Sequence, residues 1–311
     1  MSRIVLGTRG SDLARAQTSL VEAGLRRAWP DLEVAIEIIT TRGDENSRHA
    51  AEPIDRRAGR KGLFTSEIER ILRAGRIDVA VHSAKDLPSD ASDGLEICAT
   101  LPRAPVEDVL IAKSSESFDA LPHGATIGTG SVRRQHQVRW LRGDLEIVDL
   151  RGNVPTRLRK LISNPWEAIV LARAGLERLG FDCARGELAF EGQLLRVSIL
   201  PREKFVPAGG QGIVALQIRA DDPETRRFVA ALNHAEALLC LRAEREFLRL
   251  LQGDCGTPVG VSAAIQGGVM TMHAQFFDEG RAEPRVAVAR SETASPDPEA
   301  LGAKLLELIN G

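Results

Sequence analysis

The sequence lacks several features that would narrow its function at once, and each absence excludes a class of protein. The 41 basic and 43 acidic residues leave a net charge of only −2, without the positive surplus of a non-specific nucleic-acid binder. No apolar run approaches the length of a membrane span, and charged residues interrupt the N-terminal segment from Arg3 onward. We therefore expect a cytoplasmic protein with neither a nucleic-acid nor a membrane partner.

Cysteine is scarce as well. The four cysteines form no C-x-x-C pair and no metal-ligand spacing, so we expect no metal, and a chain of 311 residues can bury a core without disulfides. Cys98 and Cys240 fall in apolar patterns typical of a core, and Cys183 has no informative neighbours. Cys255 lies in the glycine-rich segment GDCGTPVG at 253–260, where a nucleophilic thiol and a structural cysteine are both open interpretations.

Lysine is scarce too. Six of the 41 basic residues are lysine and the rest are arginine. Coding bias explains such a skew, and so does recognition of carboxylates or phosphates, for which the planar guanidinium is well suited. Composition alone locates no site and therefore favours the bias.

Strand and helix patterns alternate along most of the chain, which predicts α/β domains with mostly parallel sheets. The segment LPRAP at 101–105 is typical of a crossing between domains, and the apolar run at 213–218 could return to the first sheet. Between them, residues 181–206 are polar and less regular. From Asp222 we expect a long helix to about Leu251, then three strands and a last helix.

This organisation predicts three domains. The first is an α/β domain formed by residues 1–102 and 207–221, and the second is an α/β domain over 103–206. The third is a smaller α+β domain over 222–311.

Three strand-to-helix junctions carry arginine at the helix entrance. In GTGSVRR, Ser131 is a good N-cap, so Arg133 and Arg134 fall in the first turn, where the helix dipole disfavours cations. Either an anion offsets this conflict or the two arginines are solvated. RGNVPTR at 151–157 and RGS at 9–11 repeat the arrangement, and together the junctions predict an arginine-lined cleft for a polyanion.

The segment HSAKD at 82–86 follows a predicted strand at 77–81. Ligands of open α/β sheets bind at such carboxyl ends of strands, so Lys85 and Asp86 are candidate site residues. The alternative is a solvated ion pair beside a buried core histidine, His82.

Together these motifs closely resemble the hydroxymethylbilane synthase family, also called porphobilinogen deaminase. Gly130 stands where the family pattern has serine. The resemblance covers the chain from near its start to about residue 260. The matching segments are GTRGSDLA at 7–14, RKGLFTSEIE at 60–69, AVHSAKDLP at 80–88, IGTGSVRRQ at 127–135, LRGNVPTRL at 150–158, LARAGLERLG at 171–180, PAGGQG at 207–212, LNHAEA at 232–237 and GDCGTPVG at 253–260.

The resemblance implies two α/β domains similar to periplasmic binding proteins and a third domain that carries a cofactor. It implies a monomeric transferase that joins four porphobilinogens head to tail into hydroxymethylbilane, primed by a dipyrromethane bound to Cys255. Asp86 is the implied catalytic residue. The implied cofactor-binding residues are Ser83, Lys85, Ser131, Arg133 and Arg134. The implied substrate-binding residues are Arg9, Ser11, Arg103, Arg151, Arg157, Arg178 and Gln211.

Two other functions stay open. A non-enzymatic protein that binds or senses anionic solutes would share the two α/β domains, but has no need of a cysteine-bearing third domain. A thiol hydrolase built from Cys255, His82 and Asp86 would need the three side chains within hydrogen-bonding distance.

Overall fold

The computed structural model describes residues 2–40, 65–252, 257–278, 280–293 and 297–311. The strands are β1 (Arg3–Arg9), β2 (Glu33–Ile39), β3 (Val79–Ser83), β4 (Leu95–Thr100), β5 (Asp108–Ala112), β6 (Thr126–Gly128), β7 (Glu146–Val148), β8 (Ala168–Ala172), β9 (Glu187–Phe190), β10 (Gln193–Ile199), β11 (Val214–Arg219), β12 (Val259–Gln266), β13 (Val269–Phe276) and β14 (Arg285–Glu292). The helices are α1 (Asp12–Ala28), α2 (Ser66–Arg73), α3 (Val132–Leu141), α4 (Val154–Ser163), α5 (Arg173–Glu177), α6 (Pro223–Ala230), α7 (Ala235–Leu250) and α8 (Pro298–Asn310).

The first sheet has the strand order β2-β1-β3-β11-β4. Strand β1 is parallel to both of its neighbours, whereas β11 is antiparallel to both β3 and β4. Helices cover both faces, because Leu25 of α1 and Phe228 of α6 pack in one core and Leu72 of α2 packs in another. All strands of this sheet except the returning β11 point in one direction.

The second sheet has the order β7-β6-β8-β5-β10-β9. Here β5 and β9 run opposite to the other strands. Leu158 of α4 and Val138 of α3 belong to separate buried clusters, so this sheet is also covered on two faces. The predicted α/β class is therefore confirmed, with most strands of each sheet in one direction and antiparallel exceptions in both.

The C-terminal unit is an antiparallel sheet, β12-β13-β14, packed on α7 and α8. Phe247 of α7 and Leu305 of α8 are fully buried in its core. The three strands and the last helix lie where the sequence predicts them.

The expected long helix from Asp222 is wrong, because two helices occupy this stretch. The chain leaves α6 to pair with the end of β4, where His234 N–H donates to the Thr100 carbonyl at 2.8 Å and Asn233 accepts from Thr100 N–H at 3.1 Å. The His234 side chain then caps α7 by accepting from Ala237 N–H. Helix α6 packs on the first sheet, and the predicted domain limits stay a prediction.

The sequence also missed the hairpin formed by β9 and β10 in the stretch described as irregular. Its turn is Glu191-Gly192, with φ of 46° and 78°, and the two strands pair from Phe190 with Gln193 onward. A two-residue turn with positive φ at both positions is the common type I′ hairpin.

Within the described ranges, no helix is both long and apolar enough to span a membrane. The same residues contain no cluster of three or more His, Cys, Asp or Glu that could hold a metal ion.

Candidate functional site

The turn that carries Lys85 and Asp86 begins where β3 ends. Residues Ala84–Asp86 form a short 3-10 helix, and Ala84 N–H donates to the Ile213 carbonyl at 3.0 Å. Ser83, just before the turn, hydrogen-bonds the Gln17 side chain of α1. The turn is therefore held from both sides at the carboxyl edge of the first sheet.

The side chains of Lys85 and Asp86 are exposed to solvent, although enough protein surrounds Lys85 to affect its pKa. Burial lowers the pKa of Lys85 to about 8, with Asp86 and Asp108 opposing this effect and Arg134 and Arg157 reinforcing it. Arg134 and Arg157 belong to α3 and α4 of the second sheet. The turn at the edge of the first sheet therefore lies near the entrances of α3 and α4, and the space between them is called the cleft below.

Arg157 lies on the opposite wall. Burial lowers its pKa to about 10, nearby Arg134 lowers it further, and Asp86 and Asp149 oppose both effects. Its Nε donates to the Gly152 carbonyl at 2.7 Å. Arg157 is a half-buried cation that lies close enough to Asp86 for the two charges to interact.

Ser131 caps α3 as predicted, with its Oγ accepting from Arg134 N–H. Arg133 and Arg134 are buried, so the interpretation as solvated surface arginines is wrong. Both form ion pairs with Asp108, at 2.9 Å from Arg133 Nη1 and 2.7 Å from Arg134 Nη2. Part of the anionic charge that offsets the helix dipole thus comes from the protein itself.

Asp108 is a site residue that the sequence reasoning missed. It is fully buried at the start of β5, where it also accepts from Gln211 Nε2 at 2.9 Å. Burial alone would raise the pKa of this carboxyl group, but Arg133 and Arg134 outweigh burial and hold the pKa below its usual range. The available indication was an aspartate heading the otherwise apolar strand DVLIA, since a buried carboxylate needs a partner.

The Asp108 carboxylate does not provide a hydrogen-bond partner for every donor of Arg133 and Arg134. The Nε atoms of Arg133 and Arg134 are buried without a hydrogen-bond partner among the described residues. Burying several cations around one acid is costly unless a further anion is present. The donor set therefore fits an anionic ligand.

The junction at 151–157 has the predicted form. Asn153 caps α4 by accepting from Thr156 N–H at 2.9 Å, and Pro155 lies in the first turn. Arg151 is more exposed than Arg157 and pairs with Asp149 at 2.6 Å. Gly152 has φ of 114°, a conformation that favours glycine.

The junction at 9–11 also has the predicted form, because Ser11 caps α1 by accepting from Ala14 N–H and Arg9 ends β1.

Gly130 is explained by the close approach of neighbouring backbone rather than by its own conformation. A Cβ atom there would lie 2.6 Å from the Leu150 carbonyl oxygen, so a serine would require a shift of the backbone.

Arg178 and Arg103 differ from each other. Arg178 forms no ion pair in the described part of the chain, donates to the Gly212 carbonyl at 2.6 Å, and has its pKa lowered to about 10 by burial. Arg103 pairs with the buried Glu244 at 2.6 Å and also donates to the Gln211 and Ala263 carbonyls. These internal contacts account for Arg103 without a ligand.

His82 is a core residue. It is buried in β3, hydrogen-bonds Gln217 of β11 at 3.1 Å, and burial lowers its pKa to about 4. This environment suits a structural role better than that of a general base for a thiol.

Cys255 lies outside the described residues. The described thiols of Cys98, Cys183 and Cys240 are free, and burial raises their pKa values to about 12, 11 and 12.

Comparison with known proteins gives a consistent result. The family profile described as "Porphobilinogen deaminase, dipyromethane cofactor binding domain" matches residues 4–227, and "Porphobilinogen deaminase, C-terminal domain" matches 238–310. A porphobilinogen deaminase of Roseiflexus sp. (strain RS-1) is 43% identical over 98% of this chain and 94% of its own. That of Moorella thermoacetica is 40% identical over 98% and 92%.

Among solved structures, the methionine binding protein MetQ aligns with 76% of this chain and 92% of its own, with 13% identity and a TM-score of 0.46.

Proposed function

The chain belongs to the porphobilinogen deaminase family, and from this we propose that it is a transferase that deaminates four porphobilinogen molecules and joins them head to tail into hydroxymethylbilane. Each addition forms a carbon–carbon bond between the aminomethyl carbon of one pyrrole and a free ring position of the next, and releases ammonia. The names of the relatives support this enzyme over a non-enzymatic solute-binding protein. As in the family expectation, it acts as a monomer in the cytoplasm.

The observation that carries the proposal is the cluster of cations around the cleft, in which the buried Arg133 and Arg134 keep Nε atoms without a hydrogen-bond partner among the described residues. The surrounding protein also lowers the pKa of the half-buried Arg157 and Arg178 and of the exposed Lys85, an effect that a bound anion would oppose. Each porphobilinogen carries an acetate and a propionate, so a growing chain is a polyanion. Arginine binds such carboxylates through two parallel hydrogen bonds.

The dipyrromethane cofactor supplies a primer of two pyrrole rings to which substrate rings are added. We assign its attachment to the Cys255 thiol, and its carboxylates to Ser83, Lys85, Ser131, Arg133 and Arg134. The unpartnered buried Nε atoms of the arginine pair support this fit. Arg9, Ser11, Arg151, Arg157, Arg178 and Gln211 are assigned to substrate. Arg103 is left out of this set, because its contacts with Glu244 and with two backbone carbonyls already account for it.

Asp86 has the central chemical role in this proposal. Loss of ammonia leaves a cation on the aminomethyl carbon of the substrate, and a carboxylate held nearby stabilises that charge. The same carboxylate can accept the proton that the acceptor ring releases when the new bond forms. The support is its position on a fixed turn, opposite Arg157.

Two measurements test the proposal: the number of ammonia molecules released per product, and the rate of ammonia release in a single turnover. Purified protein should release four ammonia molecules per hydroxymethylbilane formed. Asp86→Asn keeps the shape of the side chain but removes its charge, and should slow single-turnover ammonia release by about 10²–10⁴-fold with little change in substrate affinity. Asp93→Asn, an exposed aspartate elsewhere on the same unit, is the control. A rate within about tenfold of wild type for Asp86→Asn would refute its catalytic role.

A further inference from the structure

Glu244 of α7 is fully buried and accepts four hydrogen bonds. Its Oε1 accepts from Arg103 Nη1 and from Ala263 N–H, both at 2.6 Å. Its Oε2 accepts from Gly210 N–H at 2.6 Å and from Arg103 Nη2 at 3.2 Å. Every acceptor position of the carboxylate is therefore directed at a named donor.

These donors lie on different parts of the molecule. Arg103 belongs to the segment that leaves the first sheet, Gly210 to the segment that returns to it, and Ala263 to β12 of the C-terminal unit. Arg103 also donates from Nε to the Gln211 carbonyl and from Nη1 to the Ala263 carbonyl, each at 2.9 Å. One ion pair thus fastens both crossings to the C-terminal unit.

The opposite side of the returning segment touches the turn that carries the proposed catalytic residue. Gly210 has φ of 74°, and a Cβ atom there would lie 2.9 Å from both the Ala84 carbonyl carbon and the Lys85 nitrogen. Three residues later, the Ile213 carbonyl accepts from Ala84 N–H. The backbone of Lys85 therefore rests on a residue whose N–H is held by Glu244.

The same segment also reaches the second wall of the cleft. Gln211 donates from Nε2 to Asp108 at 2.9 Å and to the Val106 carbonyl at 2.6 Å. Asp108 in turn holds Arg133 and Arg134. Hydrogen bonds and ion pairs run without a break from Glu244 to the arginine pair.

We propose that Glu244, paired with Arg103, is a positioning residue for the reaction: by fixing the Gly210–Gln211 segment, it sets the place of Lys85 and Asp86 on one wall and of Asp108 on the other. Desolvation often cancels the stability gained from a buried ion pair, so an apolar joint could hold the units equally well. An apolar joint would not direct the N–H of Gly210. The catalytic part of this inference rests on the proposed function.

Glu244→Gln is the first test, because an amide cannot accept on both sides. Its NH2 group must face either Arg103 Nη1 with Ala263 N–H, or Arg103 Nη2 with Gly210 N–H. The Oε2 side has the longer bond to Arg103, so the amide should face Gly210 and release it. We expect kcat per folded holoenzyme to fall about 10- to 100-fold, a loss typical of a misplaced reacting group, with KM within about threefold of wild type.

A second readout does not depend on activity. Loosening the turn should move Lys85 away from the surrounding protein and raise its pKa from about 8 toward its ordinary value of 10.5. Competitive acetylation over a pH series, followed by mass spectrometry of the holoenzyme, measures this directly, with lysines remote from the cleft as internal references. Glu299→Gln on α8 removes an exposed ion pair with Arg242, which lies on α7 like Glu244, and should change neither quantity.

The single variant leaves a buried guanidinium without a full partner, so the fold itself could suffer. The double variant Arg103→Met with Glu244→Met removes both charges together and should remain folded. It should still show the loss of kcat and the raised Lys85 pKa. If the double variant is folded and has wild-type kcat and wild-type Lys85 acetylation, the proposal is wrong, and the ion pair only holds the parts of the fold together.

The two proposals fail separately. If wild-type enzyme does not convert porphobilinogen, the proposed function is wrong, while Lys85 acetylation in the Glu244 variants still decides whether this pair positions the turn. If wild type converts porphobilinogen and the variants do not alter Lys85 acetylation, the positioning proposal alone is wrong.

Discussion

Asp108 is the residue on which the arginine side of the cleft depends. It joins Arg133, Arg134 and Gln211, which come from two other stretches of the chain. The helix caps Ser11, Ser131 and Asn153 could be predicted because each cap acts within three residues. Asp108 could not, because its partners are set by the tertiary fold. A local pattern identified the arginines, but not the acid that orients them.

Asp108→Asn should lower the free energy of unfolding by about 3–5 kcal/mol at pH 7, because two buried guanidinium groups lose their carboxylate. The folded-state pKa of Asp108 lies below its usual range, so its contribution is present above about pH 4 and is lost as the pH falls through the folded-state value. Urea unfolding from pH 7 to 3 measures the full contribution and the beginning of its loss below about pH 4. Asp149→Asn, which breaks an exposed pair with Arg151, should cost less than about 1 kcal/mol. Equal curves for Asp108→Asn and wild type would contradict this account.

At the scale of elements, the N-termini of α1, α3 and α4 carry caps and arginines, and those of α3 and α4 line the cleft. Hydrophobic periodicity predicted these helices and the strands before them. It failed for residues 223–250, where the period continues from α6 into α7 although pairing with β4 interrupts the helix. It also missed β9, a strand of only four residues.

Asn153→Asp separates the stability of α4 from its function. Aspartate caps as well as asparagine and favours the helix dipole by about 0.3–1 kcal/mol, so stability should not fall. The new charge lies at the helix entrance beside Arg151 and Arg157 and repels substrate carboxylates. KM should rise about fivefold, equivalent to about 1 kcal/mol for charges a few ångströms apart in water. Asp297→Asn at the N-cap of α8 changes a cap outside the cleft and should leave KM unaltered. Unchanged KM in Asn153→Asp would place this junction outside the binding site.

At the scale of the molecule, a chain of net charge −2 gathers cations in one cleft. Composition could not reveal this, because only the fold brings Lys85, Arg134 and Arg157 together. The order of the motifs along the chain did predict it, since carboxyl ends of strands in paired α/β units meet at one cleft. The anchoring of the crossings by Glu244 again depends on tertiary contacts and had no local pattern.

Lys85 should give the cleft a pH dependence. With a pKa of about 8, its ammonium group is charged below that pH and loses its proton above it, so kcat/KM for porphobilinogen should fall as the pH rises through 8. Lys85→Arg keeps the charge and should flatten this limb of the profile, while the different shape of the guanidinium group lowers the overall rate. The same alkaline fall in Lys85→Arg would assign it to another group.

The central claim is that this cleft builds a polypyrrole on a thiol of the chain itself. Intact mass spectrometry of the holoprotein tests it most directly. We predict a covalent addition of two pyrrole units that grows by single units under limiting porphobilinogen, and that is absent in Cys255→Ala. An active enzyme without the addition, or the addition on Cys98, Cys183 or Cys240, would contradict the account.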